Sequence, residues 1–203
     1  MTWVRGAAIR PVPAYAVVPE AVLDSIERAL GREEDGARAE LDAAFRRFEE
    51  TQPNLADKMG DVLTRPIDET ALALGYFLSI AIWMAFERSF GERLELVTED
   101  ALRATEDALA LEEELRTSHA EEPLELDDVV AMEQPGVLAF VNEHVDAALD
   151  PGGPGETAQG REVDVDDVHG VYRAILVLVL ALSHAVTEGG PGGGARRTDE
   201  LLA

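Results

Sequence analysis

The sequence predicts an all-α protein, a single bundle of about six to eight helices, on three observations. Two apolar stretches, 71–86 and 170–186, are long and nearly free of charge, as expected of helices at the centre of a bundle. Elsewhere apolar residues recur three and four positions apart, and proline or glycine marks where these segments end. No stretch alternates apolar and polar residues in the way that indicates a β-strand.

The two apolar stretches are interpreted as core helices of a soluble protein rather than as membrane spans. A spanning helix needs about 20 mostly apolar residues, with basic flanks on its cytoplasmic side. The first stretch is preceded by Asp68 and Glu69 and followed by Glu87, and the second contains Arg173 and His184. Neither stretch has the length or the flanking charge of a good span, so we expect no membrane span.

Composition narrows the classes of partner and of chemistry. The chain of 203 residues has no cysteine and a formal net charge of −24. Between residues 92 and 128, 14 acidic residues stand against 3 basic ones. Such a field disfavours nucleic acid and anionic membranes and favours basic partners, although a solvated helix surface would explain the same excess. The absence of cysteine excludes disulfides, zinc-thiolate sites and cysteine nucleophiles.

Three segments are expected along the chain: an extended N-terminal arm (1–18), an all-helical domain (19–188) and a flexible C-terminal tail (189–203). Proline disfavours a helix in the arm, and the tail is rich in glycine. The apolar residues expected to hold the arm against the bundle are Trp3, Tyr15, Val17 and Val18. The first residues lack the basic-then-apolar order of an export signal, which favours a cytoplasmic location.

Helices are predicted at 19–30, 37–50, after Pro53, at 68–90 and 98–116, after Pro135 and at 164–187, and a short helix or turn is predicted at 124–132. In the helix 98–116, one apolar stripe is expected to face the core, namely Ala101, Ala104, Ala108, Leu111 and Leu115. Its alanines would let that helix approach a neighbour closely.

An internal repeat is suggested by two Gln-Pro breaks. Gln52-Pro53 and Gln134-Pro135 lie 82 residues apart (134 − 52), and each opens a helix with apolar residues at matching positions. Gly75 and Gly170 of the two apolar stretches correspond at an offset of 95 (170 − 75), so the second half holds thirteen more residues. The pattern predicts two related helical units, 19–91 and 97–188, packed about a pseudo-twofold axis with the two long apolar helices at the centre.

No motif for catalysis or for a cofactor is present. The sequence has no nucleophile elbow, no phosphate-binding glycine loop and no dinucleotide fingerprint, and its histidines lack the Glu-x-x-His spacing of a helical di-metal site. Ser79 and Ser183 lie inside the apolar stretches, where a hydroxyl is expected to bond the carbonyl one turn earlier. We therefore predict no catalytic residue, no metal and no cofactor.

The residues singled out as a candidate polar cleft are Gln52, Gln134, Glu87 and Arg173. If the repeat is real, the two glutamines occupy equivalent places, where they either bond loose backbone groups at a helix break or line a symmetric cleft. Glu87 and Arg173, at opposite ends of the two apolar stretches, are expected to pair across the bundle.

Three functions remain open from the sequence. The favoured one is a cytoplasmic, non-catalytic interaction or accessory protein that binds a basic protein or a second copy of itself. The first alternative is a small-ligand-binding protein or enzyme with a pocket between the two helical units. The second is an acidic inhibitor of the immunity or nucleic-acid-mimic kind, which the charge permits.

Overall fold

A computed structural model describes residues 9–30, 34–118, 133–149 and 163–189. These residues form seven α-helices and no β-strand, which confirms the predicted all-α bundle. The helices are α1 (Glu20–Leu30), α2 (Glu34–Thr51), α3 (Pro53–Leu63), α4 (Glu69–Phe90), α5 (Glu99–Ser118), α6 (Pro135–Leu149) and α7 (Val165–Ala185). The short helix or turn predicted at 124–132 and the tail beyond Gly189 lie outside the described residues.

The core is built around α4 and α7, which carry the two apolar stretches. Every residue from Leu78 to Phe86 in α4, and from Ala174 to Ser183 in α7, is buried. A helix that is apolar on nearly all sides has no face suited to water, so it is stable only when other elements enclose it. Here α1, α2 and α6 pack on α4, α5 packs on α7, and α3 packs on both.

The enclosure bears on the question of membrane spans. By length and composition alone, Glu69–Arg93 and Val165–Ala185 could cross a membrane, and 67% of the most apolar window of each is buried inside the fold. The polar outer helices supply that burial. This arrangement is consistent with core helices of a soluble protein.

The two central helices start together and end together. At the start, the backbone N–H of Asp68 donates to the carboxylate of Asp167 (2.7 Å). At the end, Leu94 and Val186 form an isolated antiparallel bridge, in which Glu95 N–H donates to Ala185 O (3.0 Å). The two helices therefore run in the same direction, and we refer to the end with the bridge as the bridge end.

Local sequence explains where both central helices begin. The side chain of Asp68 accepts from Thr70 N–H (2.7 Å), and that of Asp164 accepts from Asp166 N–H (2.9 Å), so an aspartate caps each helix. Gly91, with φ of +53°, terminates α4 in a conformation that a residue with a Cβ adopts only with strain. These caps explain why the boundaries of α4 agree with the sequence to within a residue.

The arm is held by different side chains from those expected. Tyr15 is 40% exposed and Val17 is 37% exposed, whereas Ile9, Val12, Ala16 and Val18 are the buried apolar residues. The predicted extended arm contains a short 3-10 helix, Ala14–Ala16, in which successive side chains point in different directions, and the chain is extended at Val17; burial of residues 16 and 18 therefore turns 15 and 17 outward. Trp3 lies outside the described residues.

The predicted inner stripe of α5 is wrong. Leu102 and Leu109 are the apolar side chains of α5 that are buried, whereas Ala101, Ala104 and Leu111 are exposed. The side chain of Leu115 lies outside the described residues. Two apolar stripes compete on this helix, and the rotation that turns Leu102 and Leu109 inward also brings Glu106 to Lys58 of α3 and Glu113 to Arg173 of α7. An apolar stripe of α5 is therefore left on the surface.

Gly75 marks the closest approach between α4 and its neighbours. A Cβ on Gly75 would lie 2.6 Å from Leu63 Cδ2 and 3.0 Å from Val171 Cγ1, whereas a Cβ on Gly170 would meet nothing within 4 Å. The two glycines that correspond in the predicted repeat therefore have different roles. Gly75 is needed for packing, and Gly170 is an exposed helical residue with free space around it.

We predict that Gly75→Ala lowers the free energy of unfolding by about 1–2 kcal/mol, because the added methyl must displace Leu63 and press on Val171. The matched variant Gly170→Ala should raise it by about 0.5–1 kcal/mol through its better helix propensity. Urea unfolding followed by circular dichroism measures both. Equal effects of the two substitutions would contradict the packing assigned to Gly75.

Candidate functional site

Gln52 joins α3 to the segment between α4 and α5. Its side chain is 2% exposed and makes two hydrogen bonds to that segment. Nε2 donates to Glu95 O and Oε1 accepts from Val97 N–H, both at 2.9 Å. The primary amide thus binds the peptide groups of two residues in an extended segment, as a neighbouring strand would.

Gln134 binds the arm in the same way. Its side chain is fully buried, Nε2 donates to Ala16 O (2.7 Å), and Oε1 accepts from Val18 N–H (3.0 Å). Nε2 also lies 2.9 Å from the hydroxyl of Ser183, which itself donates to Val179 O. All the polar atoms of this amide are therefore satisfied inside the core.

The two glutamine contacts are reciprocal, and we call them the glutamine clasps. Gln52 belongs to the first predicted unit and binds Glu95 and Val97, which precede α5; Gln134 belongs to the second and binds Ala16 and Val18, which precede α1. The bound segments lie 79 residues apart (95 − 16), close to the 82 that separate the glutamines. Each half of the chain therefore fastens the extended segment that opens the other half, an arrangement suited to a pseudo-twofold repeat.

Glu87 and Arg173 do not pair with each other. Glu87 accepts two hydrogen bonds from Arg47 of α2 (3.0 and 3.1 Å), and Arg173 donates two to Glu113 of α5 (2.8 and 2.9 Å). Both pairs are largely exposed and fasten an outer helix to a central one. The expectation was wrong because α4 and α7 run in the same direction, which places Glu87 near one end of the helix pair and Arg173 near the other.

The four candidate residues therefore do not form one cleft. The glutamines are buried and engaged with backbone, and the two charged residues lie in separate surface ion pairs. Ser79 and Ser183 donate to the carbonyls four residues earlier, as the sequence indicates. Among the described residues, Ser89 Oγ is the buried side-chain polar atom without a hydrogen-bond partner. The hydrogen-bonded polar groups among them hold helices and connecting segments in place.

A cleft of about 390 Å³ opens beside α5, and we call it the α5 cleft. Ala101, Ala104, Thr105 and Ala108 form its α5 wall. The opposite wall comes from the end of α7, at Leu180, Ala181 and His184, and residues 9–10 and 95–98 complete it. This cleft is not evident from the sequence because its walls come from three separate parts of the chain, residues 9–10, 95–108 and 180–185.

His184 is a half-buried side chain in the lining of the α5 cleft, whereas the other titratable lining residues, Arg10 and Glu95, are exposed. Its Nε2 lies 3.0 Å from Arg10 O, and a carbonyl only accepts, so Nε2 carries the proton and donates. Burial lowers the pKa of His184 below its usual 6.5, and the charge of Arg10 acts in the same direction, against the raising effect of the backbone hydrogen bonds. The lowered pKa favours the neutral ring, and its hydrogen bond to Arg10 O fastens the arm to α7.

The outer surface of α5 combines apolar and acidic residues in separate rows. Ala101, Ala104 and Ala108 of the cleft wall continue to Leu111, which is 48% exposed. Next to them on the helix is a row of exposed acids seven residues apart, Asp100, Asp107 and Glu114. A second row on the other side of the helix, Glu99, Glu106 and Glu113, bonds Arg103, Lys58 and Arg173 of the protein itself.

Within the part of the chain that the structure describes, no group of three or more histidine and acidic side chains is placed to hold a metal ion. His144, one of the histidines considered from the sequence, lies against Phe77 and Phe140, with Nδ1 2.8 Å from Phe140 O. His144 therefore packs between α4 and α6.

Comparison with known proteins gives no relative: no family model matches the chain, and no curated protein or solved structure matches it. The surface features of the molecule are therefore the basis for a functional proposal.

We predict that Gln134→Met, which keeps the length of the side chain and removes its amide, lowers the free energy of unfolding by about 3–5 kcal/mol. Each buried partner left without a hydrogen bond costs about 1–3 kcal/mol, and Gln134 serves Ala16, Val18 and Ser183. Gln52→Met should cost less, about 2–3 kcal/mol, because it breaks two such bonds. Urea unfolding measures both.

The control for the glutamine variants is Thr51→Ala, which removes an exposed hydrogen bond next to Gln52 and should change stability by less than about 0.5 kcal/mol. A loss no greater in either glutamine variant than in this control would show that the clasps contribute little to the fold.

We predict that stability falls as pH decreases from 6.5 toward the lowered pKa of His184. Protonation of His184 favours unfolding, because the folded state binds the proton less tightly than the unfolded state does. The contribution of His184 to the free energy of unfolding is therefore fully present above the pKa of the unfolded state and is lost as the pH falls toward the pKa of the folded state. His184→Gln keeps a donor for Arg10 O and should flatten this pH dependence. His169→Gln, at an exposed position of α7, should leave it unchanged. Identical slopes in all three proteins would rule out His184 as the source.

Proposed function

We propose that this chain is a cytoplasmic, non-catalytic protein that acts by binding another protein of basic character. The single observation that carries the proposal is the exposed apolar stripe of α5, where Ala101, Ala104 and Leu111 face solvent beside a cleft. Contiguous apolar surface next to polar residues is typical of an interaction site. We therefore propose this stripe as the place where the partner protein binds.

The charge supports a basic partner. The net charge of −24 is large for 203 residues, and exposed acids border the apolar stripe. Electrostatic attraction at a rim raises the association rate and selects partners by charge, whereas the apolar centre contributes most of the affinity. Both components lie on one surface of α5.

The non-catalytic part of the proposal rests on the use of the buried polar side chains. Gln52, Gln134, Ser79 and Ser183 each bond backbone groups that hold helices or extended segments in place. A catalytic centre needs polar groups that converge on an open space where a substrate can sit. These side chains point into packed structure.

The alternative is a protein that binds a small molecule, and the α5 cleft favours it through its size. A volume of about 390 Å³ falls within the usual range for ligand pockets, and His184, Thr98 and Thr105 would supply polar contacts. The cleft is lined by the second predicted unit, the arm and residues 95–96, so it lies beside the second unit and not between the two units as that hypothesis expects. The same surface therefore serves both candidate functions.

The test is gel filtration of the protein in extract of its own cells at two salt concentrations, followed by native mass spectrometry of the purified chain. We expect a complex at 0.1 M NaCl that dissociates at 1 M, because the screening length falls from about 10 Å to about 3 Å. The purified chain should show its mass without an added small molecule.

Two results would contradict the proposal. Elution of the free chain at both salt concentrations would show that it forms no charge-dependent complex. A measured mass that includes a retained metabolite would support the small-molecule alternative instead, with the α5 cleft as the binding site.

A further inference from the structure

We propose that the α5 cleft and the adjoining outer face of α5 dock a basic amphipathic helix of the partner protein. The inference rests on the proposed function and names the surface and the chemistry of the partner. It follows from the spacing of the exposed apolar residues, from their size and from the two acidic rows on α5.

The spacing of the apolar residues fits a helix. Ala101, Ala104, Ala108 and Leu111 recur at intervals of three and four, so they form one straight stripe about 15 Å long. A partner helix of three turns would lie along this stripe, with its own apolar residues at the same spacing. The opposite wall, from Leu180 to His184 of α7, bounds the groove in which it would lie.

The size of the residues also favours a helix. Packed helices lie 8–10 Å apart according to the side chains between them, and alanines permit the shorter separation. Three of the four residues in the stripe are alanines, whose short side chains contribute little buried area to the fold itself. Thus the alanines of the stripe, which contribute little to packing α5 against the rest of the fold, leave room for a second helix.

The charges specify a basic partner. The row Glu99, Glu106 and Glu113 pairs with cations of this chain, through Lys58 on α3 and Arg173 on α7 among others. The row Asp100, Asp107 and Glu114 lies on the other side of the helix, along the open edge of the stripe. Asp100 is weakly engaged, 3.8 Å from Arg103, with its side chain 96% exposed. Lysine or arginine flanking the apolar face of a docked helix would meet this outer row.

The same charges disfavour a second copy of this chain as the occupant. Two chains that each carry a net charge of −24 repel each other, and two α5 helices packed antiparallel along their stripes would also bring their outer acidic rows together. A partner with the opposite charge pattern avoids this cost and gains from the attraction. The observations therefore favour a different protein over self-association.

The experiment titrates the full chain with an 18-residue peptide of leucine and lysine, the leucines spaced at i, i+3, i+4 and i+7, at 0.1 M NaCl by calorimetry. The critical pair of variants is Ala104→Arg and Ala110→Arg. Both alanines are exposed on α5 and both variants add one positive charge, but Ala104 lies in the stripe and Ala110 lies on the far face. Circular dichroism establishes that each variant is folded.

We expect Ala104→Arg to weaken binding at least about tenfold, through steric block and repulsion, and Ala110→Arg to weaken it less than about threefold. Asp107→Asn should weaken it more than Asp57→Asn, which removes an equal charge from exposed surface of α3. Amide shifts in NMR spectra of the complex should concentrate on α5 and the end of α7.

Equal weakening by the two arginine variants would overturn the inference, because it would show attraction to the overall charge. A native dimer abolished by Ala104→Arg would also overturn it, in favour of a second copy. The salt-sensitive complex in extract separates this inference from the proposed function. If that complex forms and Ala104→Arg leaves it intact, the function stands and the surface is wrong; if no complex forms, the proposed function itself fails.

Discussion

The fold depends first on the mutual burial of α4 and α7. Both helices are apolar on nearly every side, so each is stable only when surrounded, and each covers part of the other along its whole length. Their common direction is fixed at one end by Asp68 and Asp167 and at the other by the bridge between Leu94 and Val186. The outer helices cover the apolar surface that this pair leaves exposed.

The glutamine clasps supply hydrogen bonds to buried backbone groups beside this core. The segments that open α1 and α5 are extended, and their buried peptide groups have no helical partners, which is costly unless another group bonds them. A primary amide offers both a donor and an acceptor, so one glutamine satisfies two peptide groups of each segment. Because each clasp joins opposite halves of the chain, the two predicted units are fastened together at the bridge end.

Different faces of α5 contact the rest of the fold and the solvent. Leu102 and Leu109 pack inward, and Glu106 and Glu113 bond cations of α3 and α7, which fixes the rotation of the helix about its axis. With that rotation fixed, the alanine stripe and the outer acidic row face solvent. A helix evolved only for stability would have little use for this second amphipathic face, and the proposed binding of a basic helix gives it one.

The sequence by itself determined the fold class, the two central helices and most helix ends, because these follow from local patterns: apolar periodicity, the aspartate caps at Asp68 and Asp164, proline at the first turn of α3 and α6, and Gly91. It also directed attention to Gln52 and Gln134. Tertiary structure alone decided the partners of those glutamines, the separate pairing of Glu87 and Arg173, the outward stripe of α5 and the α5 cleft. The physical reason is that an apolar stripe or a charged side chain can contact several partners that are distant in sequence. Which of these contacts forms depends on how the whole chain packs.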